Sequence, residues 1–153
     1  MAIKKVTVTG FVNRDKQFEV TTPNFNLRVG TNENNPSQNG PSPLEFLLTG
    51  YAGCINAVGK IIAKEQGIVL EALEVEVSGE ISLDKYQGIE SQDRAGFKSL
   101  EVVVKPQSKA SIAELKNWIT ALESRCPIHD NLVHKTPIHL SVFKEYKVVE
   151  AIV

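Results

Sequence analysis

Two cysteines, Cys54 and Cys126, carry the widest range of chemistry in this sequence. A thiolate can act as nucleophile, redox centre or metal ligand, and two thiols can close a disulfide. Cys126 precedes Pro127, so it can cap a following helix, where backbone N–H groups and the helix dipole favour a thiolate. Arg125 adds positive charge next door, which on physical grounds makes Cys126 the more acidic of the two. Cys54 sits inside an apolar helical pattern, where a cysteine serves equally well as a small buried hydrophobe. His129 completes Cys126-Pro127-Ile128-His129, half of a zinc pattern. No second half follows, because Cys54, His134 and His139 lack a ligand spacing and a structural zinc takes four ligands. No metal and no organic cofactor are expected. A phosphate-binding glycine loop, a dinucleotide fingerprint and a serine nucleophile elbow are all missing from the sequence. Arg14 and Arg28 read as solvated charges, and Glu45 reads as an acid complementing a helix N-terminus. Near a cysteine, an arginine would instead stabilise a thiolate and orient a polar oxygen substrate.

The elements that must position these residues follow from periodicity. Residues 3–12, 18–22 and 25–29 alternate apolar and polar side chains and predict a meander of three short strands. Residues 30–42 are nearly all turn formers, a long loop that is either functional or a surface connection. Leu44, Leu47, Leu48, Tyr51, Ile55, Val58 and Ile62 then follow helical spacing. Ser42 as cap, Pro43 at the first position and Glu45 three after the cap start a helix over 43–66. At 1.5 Å per residue it spans about 36 Å, which predicts a central element. Gly50, Gly53 and Ala57 form a small-residue stripe along it, a surface that another backbone could approach. Residues 70–83 and 97–104 predict two more strands, the second closed by Pro106. Ser111 and Glu114 box the start of a second helix whose apolar face is Ile112, Leu115, Trp118, Ile119 and Leu122. Pro127 starts a short third helix through Leu132, and residues 138–149 predict a last strand. The order is βββ-α-ββ-α-α-β, an α+β fold of antiparallel sheets around a long central helix.

Composition bounds the rest. A length of 153 residues predicts a single domain, 1–153, able to bury about 70% of its unfolded surface without disulfides or zinc. With 17 Lys+Arg against 18 Asp+Glu, no broad field exists for nucleic acid or an anionic membrane. No stretch approaches the ~20 apolar residues of a membrane span, nor does the start read as a signal peptide. Two cysteines in such a chain predict reducing, cytoplasmic surroundings, where a cysteine pair is catalytic or redox-active more often than structural.

Pro41-Ser42-Pro43-Leu44-Glu45-Phe46-Leu47-Leu48, Gly53-Cys54 and Cys126-Pro127-Ile128-His129 together resemble the OsmC/Ohr family of osmotically inducible and organic hydroperoxide resistance proteins. The resemblance implies an intertwined homodimer with two active sites at the interface. It also implies a thiol-dependent peroxidase acting on organic hydroperoxides and recharged by a dithiol reductant. Carried over, Cys54 is the peroxidatic cysteine and Cys126 the resolving one. Arg14 fits the family's arginine of the first β-turn, with Arg28 a competitor, and Glu45 fits its glutamate at the start of the long helix. The nine-residue separation of Glu45 and Cys54 is similar to that of a broader OsmC-like branch. It keeps open a redox-sensing or apolar-ligand-binding module without rapid turnover. Nine residues at 100° also set Glu45 about 180° away and roughly 13 Å along a straight helix. Either the first helical turn is irregular, or Glu45 serves the cysteine of another subunit.

Overall fold

The structure, a computed structural model, describes residues 3–12, 17–32 and 34–142. Three short strands open it: β1 (Thr9–Val12), β2 (Phe18–Thr21) and β3 (Asn26–Val29), paired antiparallel in that order. The first begins at Thr9, because residues 3–8 find no pairing partner among the described residues. Alternation favours extended backbone, but a strand also needs a neighbour. The meander makes no substantial contact with the helices, and Phe11, Val12 and Leu27 stay exposed.

The following loop is held by asparagine side chains. Asn32, buried, accepts from the N–H groups of Asn34 and Asn35 at 2.9 and 3.0 Å. Its own N–H donates to Asn39 Oδ1 at 2.7 Å. Gly30 and Gly40 close the loop base, and a Cβ at Gly40 would fall 2.0 Å from the Arg28 carbonyl oxygen. This polar scaffold delivers the chain to helix α1 (Pro43–Glu65).

The capping box of α1 forms as its sequence predicts. Ser42 Oγ accepts from Glu45 N–H at 3.2 Å, and Glu45 Oε2 accepts from Ser42 N–H at 2.7 Å. Gly67 reverses the chain at φ 69°, in the left-handed region that glycine tolerates best. A hairpin follows, β4 (Ala72–Glu80) with β5 (Ser99–Gln107). Its register puts Leu73 opposite Pro106, Val75 opposite Val104 and Val77 opposite Val102. That apolar face packs on the core, while Glu74 and Lys105 pair at 2.6 Å on the other. Pro106 therefore lies within the strand and does not end it. A strand paired on one edge only has positions where a missing N–H costs little.

Helix α2 (Ile112–Arg125) packs on α1, and α3 (Pro127–Val133) follows after one residue, Cys126. Trp118 is wholly buried and donates from Nε1 to the Gly59 carbonyl at 2.8 Å. A Cβ at Gly59 would lie 2.8 Å from Trp118 Cζ2, so glycine is what permits this approach. The close contact therefore runs through Gly59. A Cβ at Gly50 or Gly53 would meet nothing beyond its own helix within 4 Å among the described residues. Ile112, expected on the buried face of α2, is 75% exposed. Arg125 at the end of α2 forms a two-point ion pair with Glu65 at the end of α1.

On length and composition alone, residues 36–65 are sufficient to cross a membrane, contrary to the sequence reading. Here Ile55, Ile62 and Ala63 are buried in the core with Trp118, Leu122 and Ile68, so α1 serves as the helix on which the others pack. Residues 138–142 form no strand, and 143–149 of the predicted last strand lie outside the described residues.

Candidate active site

The two cysteines converge where the three helices meet. Cys54, half-buried, lies mid-way along α1; Cys126 is 1% exposed, and both are free thiols. Their Sγ atoms stand 2.7 Å apart, with the Cys126 thiol directed at Cys54.

Cys126 owes its place to two helix ends at once. Its backbone is extended, φ −81° and ψ 111°, which stops α2 before Pro127 as the residue ahead of a proline favours. Its N–H still donates to Leu122 O at 2.9 Å, and its carbonyl accepts from Asp130 N–H at 3.0 Å. Its Sγ accepts from His129 N–H at 3.5 Å, so the N-cap position expected from Cys126-Pro127 is occupied.

Burial pushes the Cys54 thiol above its ordinary value, and its hydrogen bond with Cys126 pushes the same way. The Ile128 N–H opposes them. A raised thiol holds its proton at neutral pH, and only the thiolate reacts. Left to these groups, alkylation of Cys54 by iodoacetamide, followed by mass spectrometry, would rise about tenfold per pH unit up to and beyond pH ~8.5. A plateau already at pH 6–7 would instead require a cation beside the sulfur.

One turn along from each cysteine stands a second pair. Tyr51 Oη lies 2.6 Å from His129 Nδ1. Tyr51 and His129 also line a cavity of about 480 Å³ whose walls include Leu44, Leu47 and Leu100. Arg94 lines it too, a residue that sequence reading passed over. It is an exposed residue of the polar connection between β4 and β5, where nothing in a linear pattern marks which side chains border a cavity. The Tyr51–His129 contact joins positions 78 apart and leaves no local signal.

Two further sequence candidates, Glu45 and Arg28, are not gathered here. Glu45 sits in a regular first turn, its carboxylate on Ser42 N–H, which holds its acid below the usual range. An irregular first turn is thereby excluded, so Glu45 and Cys54 of one chain face different directions. Arg28 is an exposed residue of β3 opposite Glu19. Arg14 lies outside the described residues. Among the described residues, no cluster of three or more His, Cys, Asp or Glu is placed to hold a metal.

Comparison with known proteins completes the picture. A family model described as OsmC-like protein matches residues 30–141. The hydroperoxide reductase of Mycoplasma pneumoniae is 24% identical over 139 residues, 91% of this chain and 94% of that protein. The crystal structure of an OsmC-like protein from Mycoplasma pneumoniae superposes with a TM-score of 0.73 at 25% identity, over 86% of this chain and 89% of that one. The organic hydroperoxide resistance protein OhrB of Bacillus subtilis shares the fold, with a TM-score of 0.57 at 21% identity over 88% and 94% of the two chains.

Proposed function

Because the chain belongs to the OsmC-like protein family, and its two cysteine sulfurs stand 2.7 Å apart, we propose that it is a thiol-dependent peroxidase reducing organic hydroperoxides. The sulfur pair carries the reading, since a two-cysteine cycle needs the second thiol within reach of the first. The hydroperoxide reductase of Mycoplasma pneumoniae, similar over most of both chains, supports the choice of substrate class.

In this reading the Cys54 thiolate attacks the terminal peroxide oxygen. The O–O bond breaks, the alkoxide takes a proton to leave as an alcohol, and Cys54 becomes a sulfenic acid. Cys126 then attacks the Cys54 sulfur. The S–S bond forms, the S–O bond breaks and water leaves with the Cys126 proton. A dithiol reductant reopens the disulfide by exchange, becoming a disulfide itself. Arg14 stabilises the thiolate and holds the peroxide oxygens, oriented by Glu45. That role also answers the raised Cys54 thiol, which needs a nearby cation to ionise at neutral pH.

The same reading includes a homodimer, with Glu45 serving the partner's site, and a reducing, cytoplasmic setting. Support comes from the angular separation of Glu45 and Cys54 on a regular α1 and from the exposed apolar residues of β1 and β3. Sedimentation at the mass of one 16.8 kDa chain would remove the dimer from the proposal.

The test is steady-state reduction of tert-butyl hydroperoxide with dithiothreitol. Turnover well above the reductant alone, and faster than with hydrogen peroxide, is expected. Consumption no faster than reductant alone would reject the peroxidase. The 480 Å³ cavity beside Tyr51 and His129 favours a second reading, a redox-sensing or apolar-ligand-binding module. An apolar ligand retained by the purified protein, together with absent turnover, would select it.

A further inference from the structure

Tyr51 and Cys54 lie one turn apart on α1, and Cys126 and His129 lie one turn apart at the start of α3. The four residues make two neighbouring rungs between these helices. One is the sulfur pair at 2.7 Å; the other is Tyr51 Oη to His129 Nδ1 at 2.6 Å. The two rings of the second rung are tilted by 37° with centroids 5.9 Å apart. The peroxidase cycle above uses the first rung and leaves the second without a task.

We propose that the Tyr51–His129 hydrogen bond is a latch that positions the resolving cysteine, holding the first turn of α3 on α1 while the sulfur rung is open. Both are positioning residues. The consequence for peroxide turnover rests on the reading above, whereas the latch itself is a property of the dithiol.

The physical case starts from length. Helix α3 has seven residues, too few to be stable unaided. Its own apolar anchors are the half-buried Ile128 and Leu132. With the cysteines reduced, no covalent tie holds it to α1, and the polar ties that remain are the Tyr51–His129 bond and the Ile128 N–H on Cys54. Burial keeps the Tyr51 phenol protonated, and charge on Cys126, Glu123 or Cys54 would act in the same direction. Its O–H can donate to an Nδ1 that carries no proton and can accept from one that does, so the 2.6 Å contact is a hydrogen bond in either tautomer. The backbone N–H of the same His129 donates to Cys126 Sγ, so fixing His129 fixes the sulfur's cap as well.

Positioning matters because the Cys54 sulfenic acid has two fates. Attack by Cys126 forms the S–S bond and expels water, as written above. A second hydroperoxide instead transfers an oxygen to Cys54, giving a sulfinic acid and an alcohol, and thiols do not reverse that step. A docked Cys126 raises the effective concentration for the first fate.

The latch is tested first without peroxide, by equilibrating the protein with mixtures of reduced and oxidised dithiothreitol and counting free thiols by mass spectrometry. Tyr51→Phe, which keeps the ring, is expected to lower the closure constant about fivefold, the scale of one hydrogen bond. His129→Ala is expected to do the same, and the double variant to add little more. His129→Asn, with an acceptor oxygen near the Nδ1 position, is expected to recover most of the loss. His134→Gln, at the exposed end of α3, is expected to leave the constant unchanged. With tert-butyl hydroperoxide, Tyr51→Phe should raise the sulfinic fraction of Cys54 without slowing consumption of the first equivalent. An unchanged closure constant in folded Tyr51→Phe, or single losses that simply add, would overturn the latch. If the native chain turns over no peroxide, the peroxidase reading fails, and the dithiothreitol equilibrium still decides the latch.

Discussion

Cys54→Ser is expected to reduce tert-butyl hydroperoxide no faster than dithiothreitol alone, a loss of roughly 10³-fold or more. A serine hydroxyl stays protonated and does not take an oxygen from a peroxide, so the first bond-making step has no nucleophile. Cys126→Ser is expected to behave differently. Without added thiol it retains the partner that meets peroxide, consumes about one equivalent, and stops at a Cys54 sulfenic acid that dimedone traps. The contrast assigns the two sulfurs, because Cys54 is the half-buried one and Cys126 is closed off behind it. Turnover lost in Cys126→Ser before the first equivalent, with Cys54→Ser still active, would reverse the roles. Equal and full activity in both would remove the cysteines from the chemistry.

The second large effect is on stability. Trp118→Ala removes a wholly buried indole from the contact between α1 and α2, and with it the hydrogen bond to the Gly59 carbonyl. Large-to-small changes of this kind cost about 3–5 kcal/mol. Native domains hold only about 5–15 kcal/mol in all. Gly59 offers no side chain to fill the space left, and Leu122, already packed against the same glycine, could fill only part of it. The urea midpoint is expected to fall by a large fraction with little change in slope. Trp118→Phe keeps most of the ring and should recover part of the loss. A midpoint within experimental scatter of the native one would contradict the role given to this contact. The effect should reach the site as well, because the residue that carries the second sulfur directly follows α2 and caps it.

What the sequence made legible was local. Ser42-Pro43 with Glu45, Ser111 with Glu114, and Cys126-Pro127 placed the helix starts closely, because a cap is satisfied within a few residues. The β4–β5 hairpin followed from alternation, and both cysteines were singled out by type and neighbours. What stayed hidden depended on which surfaces meet. Gly50, Gly53 and Ala57 share a face by spacing, yet the glycine pressed against another helix is Gly59. Spacing says which residues lie together and not which side the rest of the chain covers. The same gap explains Ile112, apolar and correctly phased but exposed, and the alternation of Ile138, Leu140 and Val142 without a partner strand among the described residues. Pro106 was read as a stop because its tolerance depends on having an unpaired edge. Tyr51 was read as an apolar helix residue and His129 as half of a zinc pattern, since their meeting is purely tertiary.

The Trp118–Gly59 contact has a consequence for observation. The chain contains one tryptophan, so its long-wavelength ultraviolet emission has a single source. That emitter sits on α2, two turns before the cysteine at its end, with its N–H on the backbone of the helix that carries the other cysteine. Its brightness and colour depend on how dry and how close that seat is. Closure of the sulfur pair, or separation of α2 from α1, would act on both. If the sulfur pair opens and closes as proposed, the emission is expected to change with it, readable in a stopped-flow instrument without any attached dye; identical spectra for dithiol and disulfide would contradict this.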